Sequence, residues 1–288
     1  MQRMQEDGAL EHPRSYHKAK SQFQHWQTRL GSYALVHITQ ELVNKERQLL
    51  SETPTPQGLK RSVSTINRYM AVLSSTLNYG VKRLRWLTEN SCTHLLRFKE
   101  GPGRDRVLSD AELLSLLEAC RNSKSPCLYL IVLISLTTGA RQGEILGLEW
   151  NHVDFDNQLA HLKETKNGKP RSVAIAEPVL MELKKLYEKR NPKKPLVFAS
   201  KTTFGKIDIK KAWQTALKRA NIFDCRRHDM RHTFATLSAT QGASNLELAT
   251  AMGHRTLQML QCYTHLDVKV TKKFSNHISE KILSGERP

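Results

Sequence analysis

The sequence has little of what marks secreted or membrane proteins. Its five cysteines form no C-x-x-C pair, and no N-terminal stretch has the charged-then-apolar layout of a signal peptide. The longest mostly apolar run, Cys127 to Leu136, is about half the length of a membrane-spanning helix. These absences count against a disulfide framework, a cysteine zinc site and a membrane partner. They predict a cytoplasmic protein with reduced thiols.

Acidic residues are also scarce relative to basic ones. The 288 residues include 45 Lys and Arg against 27 Asp and Glu, which gives a formal net charge of +18. Residues 1–103 hold 15 basic and 8 acidic residues, so the excess is present on both sides of a boundary at Gly103. A molecule that is cationic throughout favours a polyanionic partner, most simply duplex DNA or RNA. A merely soluble basic protein is the alternative that composition leaves open.

The first hundred residues predict a small helical domain. Residues 1–15 are polar without apolar periodicity, which predicts a short disordered arm. Over residues 16–100, helical patterns begin at Tyr16, run from Ile38 to Leu50 and from Val63 to Tyr79, and continue through Leu84 to Leu87. They predict a four-helix bundle. Residues 101–106 indicate a linker, because they contain Gly-Pro-Gly beside basic charge.

The remaining residues, 107–288, predict a second domain that is mostly helical. Ser109 and Glu112 form a capping box before a leucine-rich helix. One strand pair, Leu159–Lys166 and Lys169–Ala176, is joined by Asn167-Gly168, the dipeptide typical of a tight hairpin. The predicted fold class is therefore mainly α (α+β), with one small antiparallel sheet.

Six polar residues of this second domain lie beside apolar helices or the tight hairpin: Arg141, Lys166, His228, Arg231, His254 and Tyr263. Taken singly, each has an ordinary structural explanation. Arg141 could pair with Glu144, Lys166 could be solvated, and Tyr263 could be a half-buried core phenol. Lys163 and Lys169 lie close to Lys166 and are weaker candidates for the same role.

A zinc site is one alternative for this region. His228 and His232 have the i, i+4 spacing of two zinc ligands on a helix, and Asp229 lies where some zinc hydrolases carry a glutamate base. No obvious third ligand follows, however, and Arg231 would place a fixed cation beside the metal. The sequence therefore predicts no metal and no cofactor.

Together, the six residues have the chemistry of phosphoryl transfer. Arginines can hold non-bridging phosphate oxygens bidentately, and histidines can donate hydrogen bonds or move a proton. A lysine can protonate a leaving oxygen, and a tyrosine can be the nucleophile. Phosphoryl transfer needs mainly positioning and charge neutralisation, which this set supplies without a metal.

The motifs around these residues resemble those of tyrosine recombinases of the phage-integrase family. The matching segments are Thr138-Gly139-Ala140-Arg141-Gln142-Gly143-Glu144, Thr165-Lys166-Asn167-Gly168, His228-Asp229-Met230-Arg231-His232, Met252-Gly253-His254 and Tyr263-Thr264-His265. They occur in the family's order and at its usual intervals. The resemblance extends over roughly residues 16–280, with 16–100 similar to a core-binding domain and 107–288 to a catalytic domain.

The resemblance implies a role for each residue. Arg141, Arg231 and His254 would hold the scissile phosphate, and His228 would be a general base or hydrogen-bond partner. Lys166 would be the general acid on the 5′-oxygen. Tyr263 would form a 3′-phosphotyrosyl bond, so that a site-specific recombinase could cut and rejoin DNA without metal or ATP. Glu144 would have a structural role, either orienting Arg141 or capping the backbone locally.

The resemblance also implies partners. They are duplex DNA with a specific recombination site, further copies of the chain in a homo-tetramer on two such sites, and an accessory DNA-bending protein. The resemblance also implies a location on the nucleoid. Only about fifteen residues precede the core-binding region, so we expect either a simple recombinase without an arm-binding domain or a chain that is a piece of a longer protein. Two alternatives stay open: a monomeric strand nicker like type IB topoisomerases, and a DNA-binding regulator that keeps the fold without the reaction.

Overall fold

The computed structural model describes residues 13–101, 104–163 and 170–253, together with Met4 and Glu6. The chain divides into two compact units, Met1–Pro102 and Gly103–Pro288. The sequence segment predicted to be a linker, residues 101–106, spans this division.

Within its described residues 13–101, the N-terminal unit contains three long helices: α1 (Pro13–Leu30), α2 (Gln40–Glu52) and α3 (Val63–Lys82). Helix α1 begins three residues before its predicted start, because a proline is tolerated in the first turn of a helix. Thr39 and Ser62 cap α2 and α3 by accepting from backbone N–H groups three residues on. The apolar faces of the helices enclose one core, formed by Trp26, Leu30, Ile38, Val43, Leu50, Ile66, Leu73 and Leu77.

The prediction of a fourth helix through Leu84 to Leu87 is wrong. Among the described residues 83–101 there is no helix, because α3 ends in a turn in which Arg85 has a φ of 54°. The N–H of Trp86 donates to the Gly80 carbonyl at 3.0 Å, which closes the last turn of α3. Leu87 still packs on the core. The apolar spacing around Leu87 therefore predicted correctly that this residue packs on the core. It did not show whether the segment is helical.

The C-terminal unit is mostly helical, as predicted. The helices in the part of this unit that the structure describes are α4 (Asp110–Arg121), α5 (Leu128–Thr138), α6 (Gln142–Leu146), α7 (Glu177–Glu188), α8 (Lys210–Arg219), α9 (Asp229–Thr240) and α10 (Asn245–Met252). The capping box of Ser109 and Glu112 is present at the start of α4. Neither the short helix α6 nor the strand β1 (Val153–Asp154) was predicted.

The sheet of this unit has three antiparallel strands in the order β1, β2 (Leu159–Leu162), β3 (Arg171–Ala174). Leu159 pairs with Ala174 and Leu162 with Arg171, so β2 and β3 run as the predicted hairpin. The Asn167-Gly168 turn lies outside the described residues. The predicted fold class, mainly α with one small antiparallel sheet, is confirmed.

Two helices of this unit end in a left-handed glycine. Helix α5 is apolar on most faces and ends at Gly139, whose φ is 61°. Helix α10 ends at Gly253, whose φ is 63°. Helix α9 packs on α5, and Phe234 lies so close to Gly139 that a Cβ there would come within 2.4 Å of its ring. The backbone at the ends of both helices, α5 and α10, therefore depends on glycine.

Four cysteines lie within the described residues, and all four are free thiols. Burial raises the pKa of Cys120 and of Cys225 to about 12, so both stay protonated at neutral pH. In the described part of the chain, no helix is both long enough and apolar enough to cross a membrane.

Candidate functional site

Three of the six candidate residues, Arg141, His228 and Arg231, lie within the described residues. Lys166, His254 and Tyr263 lie outside them. The described part of the site is built from the end of α5, the short helix α6 with Arg141 before it, the start of α9, the end of α10 and the first residue of β3.

Arg141 directly precedes the short helix α6, and Glu144 binds it twice. Its backbone N–H donates to Glu144 Oε2 at 2.9 Å, and its Nη1 donates to Glu144 Oε1 at 2.9 Å. The side chain of Arg141 is 15% exposed, whereas that of Glu144 is 1% exposed. Glu144 therefore both caps the helix and orients the guanidinium group, the two structural roles expected for it.

A second arginine shares the Glu144 carboxylate. Arg171, at the start of β3, donates from Nη2 to Glu144 Oε2 at 2.6 Å. Burial by itself would raise the pKa of Glu144, but the hydrogen bonds from Arg141 and Arg171 and the positive charge of Arg171 hold that pKa below its usual value. Glu144 is therefore a carboxylate at neutral pH.

Arg231 is a buried cation with only 2% of its surface exposed. Its Nη1 donates to the Gly139 carbonyl at 2.5 Å, and its Nη2 donates to the Met252 carbonyl at 2.6 Å. These carbonyls lie at the C-terminal ends of α5 and α10, where the helix dipole places partial negative charge. Arg231 thus links the two helix ends that precede Arg141 and His254 in the chain.

His228 lies immediately before α9 and is exposed. Desolvation, together with the neighbouring His232, Arg231 and Arg141, lowers its pKa. The rings of His228 and His232 meet edge to face with centroids 5.3 Å apart, and burial lowers the pKa of His232 as well. Both imidazoles are neutral at pH 7, so His228 has a nitrogen that can accept a proton.

Asp229 is not placed to act as a metal ligand or as the base of a zinc site. Its side chain is 1% exposed and binds Arg104, whose Nη2 donates to Asp229 Oδ2 at 2.8 Å. The N–H of Arg226 donates to the same oxygen at 2.7 Å. Among the described residues, no group of three or more His, Cys, Asp or Glu side chains is arranged to hold a metal ion.

The described site can bind an anion and accept a proton. In these contacts three guanidinium groups, those of Arg141, Arg171 and Arg231, accompany one carboxylate, that of Glu144. The excess positive charge suits a phosphodiester, and His228 lies near enough to Arg141 and Arg231 for their charges to lower its pKa.

Sequence reasoning did not single out Arg171 or Arg104. Arginine is common in this basic chain, and the partners of these two lie far away in sequence. The sequence offered one signal for Arg171, which is its position on strand β3. The other residues of that strand alternate between exposed and buried.

Comparison with known proteins identifies the family of this chain. The sequence model of the Phage integrase family matches residues 106–269. The shufflon-specific DNA recombinase of Escherichia coli is 34% identical over 221 residues, which cover 75% of this chain and 55% of that protein. The integrase of Haemophilus phage HP1 is 30% identical over 229 residues, which cover 77% of this chain and 61% of that protein. The chain thus spans about half to three fifths of the length of these relatives.

Solved structures share the fold over almost the whole chain. The Tn1549 transposon integrase, in complex with circular intermediate DNA, has a TM-score of 0.75 at 21% identity, covering 95% of this chain and 96% of that one. A lambda integrase dimer bound to a core site has a TM-score of 0.73 at 16% identity, covering 92% and 94%. At these identities the likeness concerns the fold alone.

The family match includes every motif that carries a candidate residue, from the segment around Arg141 to that around Tyr263. It covers more than half of the 288 residues. This chain is a member of the phage integrase family, the tyrosine recombinases.

Proposed function

We propose that this protein is a site-specific DNA recombinase that cuts and rejoins duplex DNA through a covalent 3′-phosphotyrosyl intermediate, without metal or ATP. The observation that carries the proposal is the placement of Arg141, Arg231 and His228 around one cationic site in a member of the phage integrase family. The charge of this site matches a phosphodiester.

Each step of the proposed reaction assigns one task to one residue. The phenol oxygen of Tyr263 attacks the scissile phosphorus, and the bond from phosphorus to the 5′-oxygen breaks. Lys166 donates a proton to that leaving oxygen, and neutral His228 takes up the phenol proton or hydrogen-bonds the phosphate. Arg141, Arg231 and His254 stabilise the charge on the non-bridging oxygens. The ester energy stays in the phosphotyrosyl bond, so a 5′-hydroxyl can reseal the strand.

Duplex DNA is the proposed partner. The net charge of +18 favours a polyanion, and the integrases of similar fold include several in complex with DNA. Assembly of four protomers on two recombination sites, help from an accessory DNA-bending protein, and a place on the nucleoid belong to the same proposal. They follow from the family resemblance.

The experiment that tests the proposal does not require the DNA site to be known. The protein is incubated with a pool of duplexes whose central segment is randomised and which carry a nick to trap the cleaved strand. Denaturing detergent then removes all DNA that is not covalently bound, and the retained DNA is sequenced. We expect an adduct that survives boiling, with one sequence enriched in it.

The other outcomes separate the alternatives. An adduct without any enriched sequence would favour a strand nicker like type IB topoisomerases. Binding without an adduct would favour a regulator that does not catalyse the reaction. Addition of a chelator is expected to leave adduct formation unchanged, and strong inhibition would revive the zinc interpretation of His228 and His232.

A further inference from the structure

Arg171 connects three separate parts of the described site. It opens β3, and its side chain is only 11% exposed. Its Nη2 binds Glu144 at 2.6 Å, and its Nη1 donates to the backbone carbonyl of Ala251. One guanidinium group therefore joins the sheet, helix α6 and the end of α10.

The contact with Glu144 reaches Arg141. Glu144 is buried, and its two carboxylate oxygens accept from the backbone N–H of Arg141, from Arg141 Nη1 and from Arg171 Nη2. Removing Arg171 would leave a buried carboxylate with one guanidinium partner instead of two. The carboxylate could then rotate toward other donors, and the orientation of Arg141 would no longer be fixed.

The contact with Ala251 reaches the segment that leads to His254. The Ala251 carbonyl lies in the last turn of α10, two residues before Gly253. Gly253 packs directly on Arg171: a Cβ at Gly253 would lie 2.8 Å from Arg171 Cδ and 2.9 Å from Nε. Arg171 therefore bonds the last turn of α10 and bounds the space available to the residue before His254.

We propose that Arg171 is a positioning residue, which holds the guanidinium group of Arg141 through Glu144 and fixes the end of α10 through the Ala251 carbonyl. The reaction that it serves rests on the proposed function. Lysine cannot replace it fully, because a single ammonium nitrogen cannot present the two separated N–H groups of a guanidinium fork.

Adduct formation provides the first test. Single-turnover rates at saturating DNA are compared for wild type, Arg171→Met, Arg171→Lys and Arg219→Met, the last removing an exposed arginine of α8. Because a displacement of about 1 Å can cost about 100-fold in rate, we expect Arg171→Met to be slower by about that factor. DNA affinity should stay within about threefold of wild type, Arg171→Lys should be intermediate, and Arg219→Met should match wild type. A wild-type rate in Arg171→Met would overturn the proposal.

A double-mutant cycle tests whether Arg171 acts through Glu144. In a Glu144→Gln background, Arg171→Met should slow the reaction by much less than in wild type, because the shared intermediary is already lost. Equal slowing in both backgrounds would show that Arg171 does not act through Glu144. Melting temperatures identify variants that fail to fold, and Arg171→Lys keeps the test available if Arg171→Met is one of them.

An NMR measurement without DNA separates this proposal from the proposed function. In protein labelled with ¹⁵N-arginine, the side-chain signals of Arg141 are assigned by their loss in Arg141→Lys. We expect hindered rotation of the Arg141 guanidinium in wild type and faster rotation in Arg171→Lys and Arg171→Met. Unchanged rotation in these variants would overturn the positioning role. A wild-type protein that forms no adduct but shows this response would instead contradict the proposed function alone.

Discussion

The Nη1 atom of Arg231 lies 2.5 Å from the carbonyl oxygen of Gly139, although the two residues are 92 positions apart in sequence. Its Nη2 makes the matching contact with Met252 at the end of α10. In this way one buried cation ties together the two helix ends that lead to Arg141 and to His254. Arg231 therefore supports the structure of the site in addition to its proposed contact with the phosphate.

The first prediction is that Arg231→Lys lowers stability as well as activity. The ammonium group keeps the charge but cannot donate to both carbonyls, so one buried hydrogen bond to a charged group is lost. We expect the free energy of unfolding to fall by about 1.5–3 kcal/mol. Urea denaturation measures it, with Arg219→Lys at an exposed position as the control. An unfolding free energy equal to that of wild type would show that the two carbonyl contacts do not stabilise the fold.

The second prediction concerns the left-handed glycines. Gly253→Ala and Gly242→Ala both place a Cβ at a positive φ, 63° and 94°, which costs about 1–2 kcal/mol. At Gly242 nothing lies within 4 Å of the added atom, whereas at Gly253 it would meet Arg171. Thermal unfolding should therefore show a larger loss for Gly253→Ala, by about 1–3 kcal/mol. Equal losses would mean that Arg171 does not pack on Gly253 in solution.

The third prediction compares two carboxylates that bind the same arginine. Arg104 pairs with Asp229, whose side chain is 1% exposed, and with Asp224, whose side chain is 77% exposed. Asp229→Asn should lower the melting temperature by several degrees, because it weakens a buried pair and presents an amide N–H group to donors. Asp224→Asn should leave the melting temperature almost unchanged, since exposed ion pairs contribute little. The reverse order would contradict the assignment of Asp229 as the anchor.

The fourth prediction is a loss of stability in acid that depends on His232. Its pKa is lowered by burial in the folded protein, so the unfolded chain binds the proton more tightly. The stabilisation is therefore fully present above about pH 6.5, the ordinary histidine pKa, and is lost as the pH falls below it. Unfolding free energies of wild type and His232→Gln between about pH 7.5 and pH 5 measure the effect. A variant with the same slope as wild type would contradict it.

Local features of the fold could be predicted from the sequence. The capping box of Ser109 and the hairpin pairing of β2 with β3 both follow from neighbouring residues. The fourth N-terminal helix could not be excluded, because apolar spacing around Leu87 does not show that Arg85 takes a left-handed conformation. Arginine rarely adopts that conformation, so local preference did not predict it.

The site could be predicted as a set of residues but not as a network. The motifs identified Arg141, His228 and Arg231 from their spacing. The partners that hold them are distant: Arg171 is 27 positions from Glu144, and Arg104 is 125 positions from Asp229. Such pairs depend on how helices and strands pack, and a single sequence carries no signal that links them. The catalytic roles of all six candidate residues stay predictions, and Lys166, His254 and Tyr263 also lie outside the described residues.

The most direct test of the proposed function is the chemistry at Tyr263. Wild-type protein on a nicked DNA site should form an adduct that resists boiling detergent, and the released strand should carry a 5′-hydroxyl that polynucleotide kinase can label. Tyr263→Phe removes only the phenol oxygen, so we expect DNA binding within about threefold of wild type and no adduct. An adduct that persists in Tyr263→Phe, or a released strand with a 5′-phosphate, would contradict cleavage through a 3′-phosphotyrosyl bond at this residue.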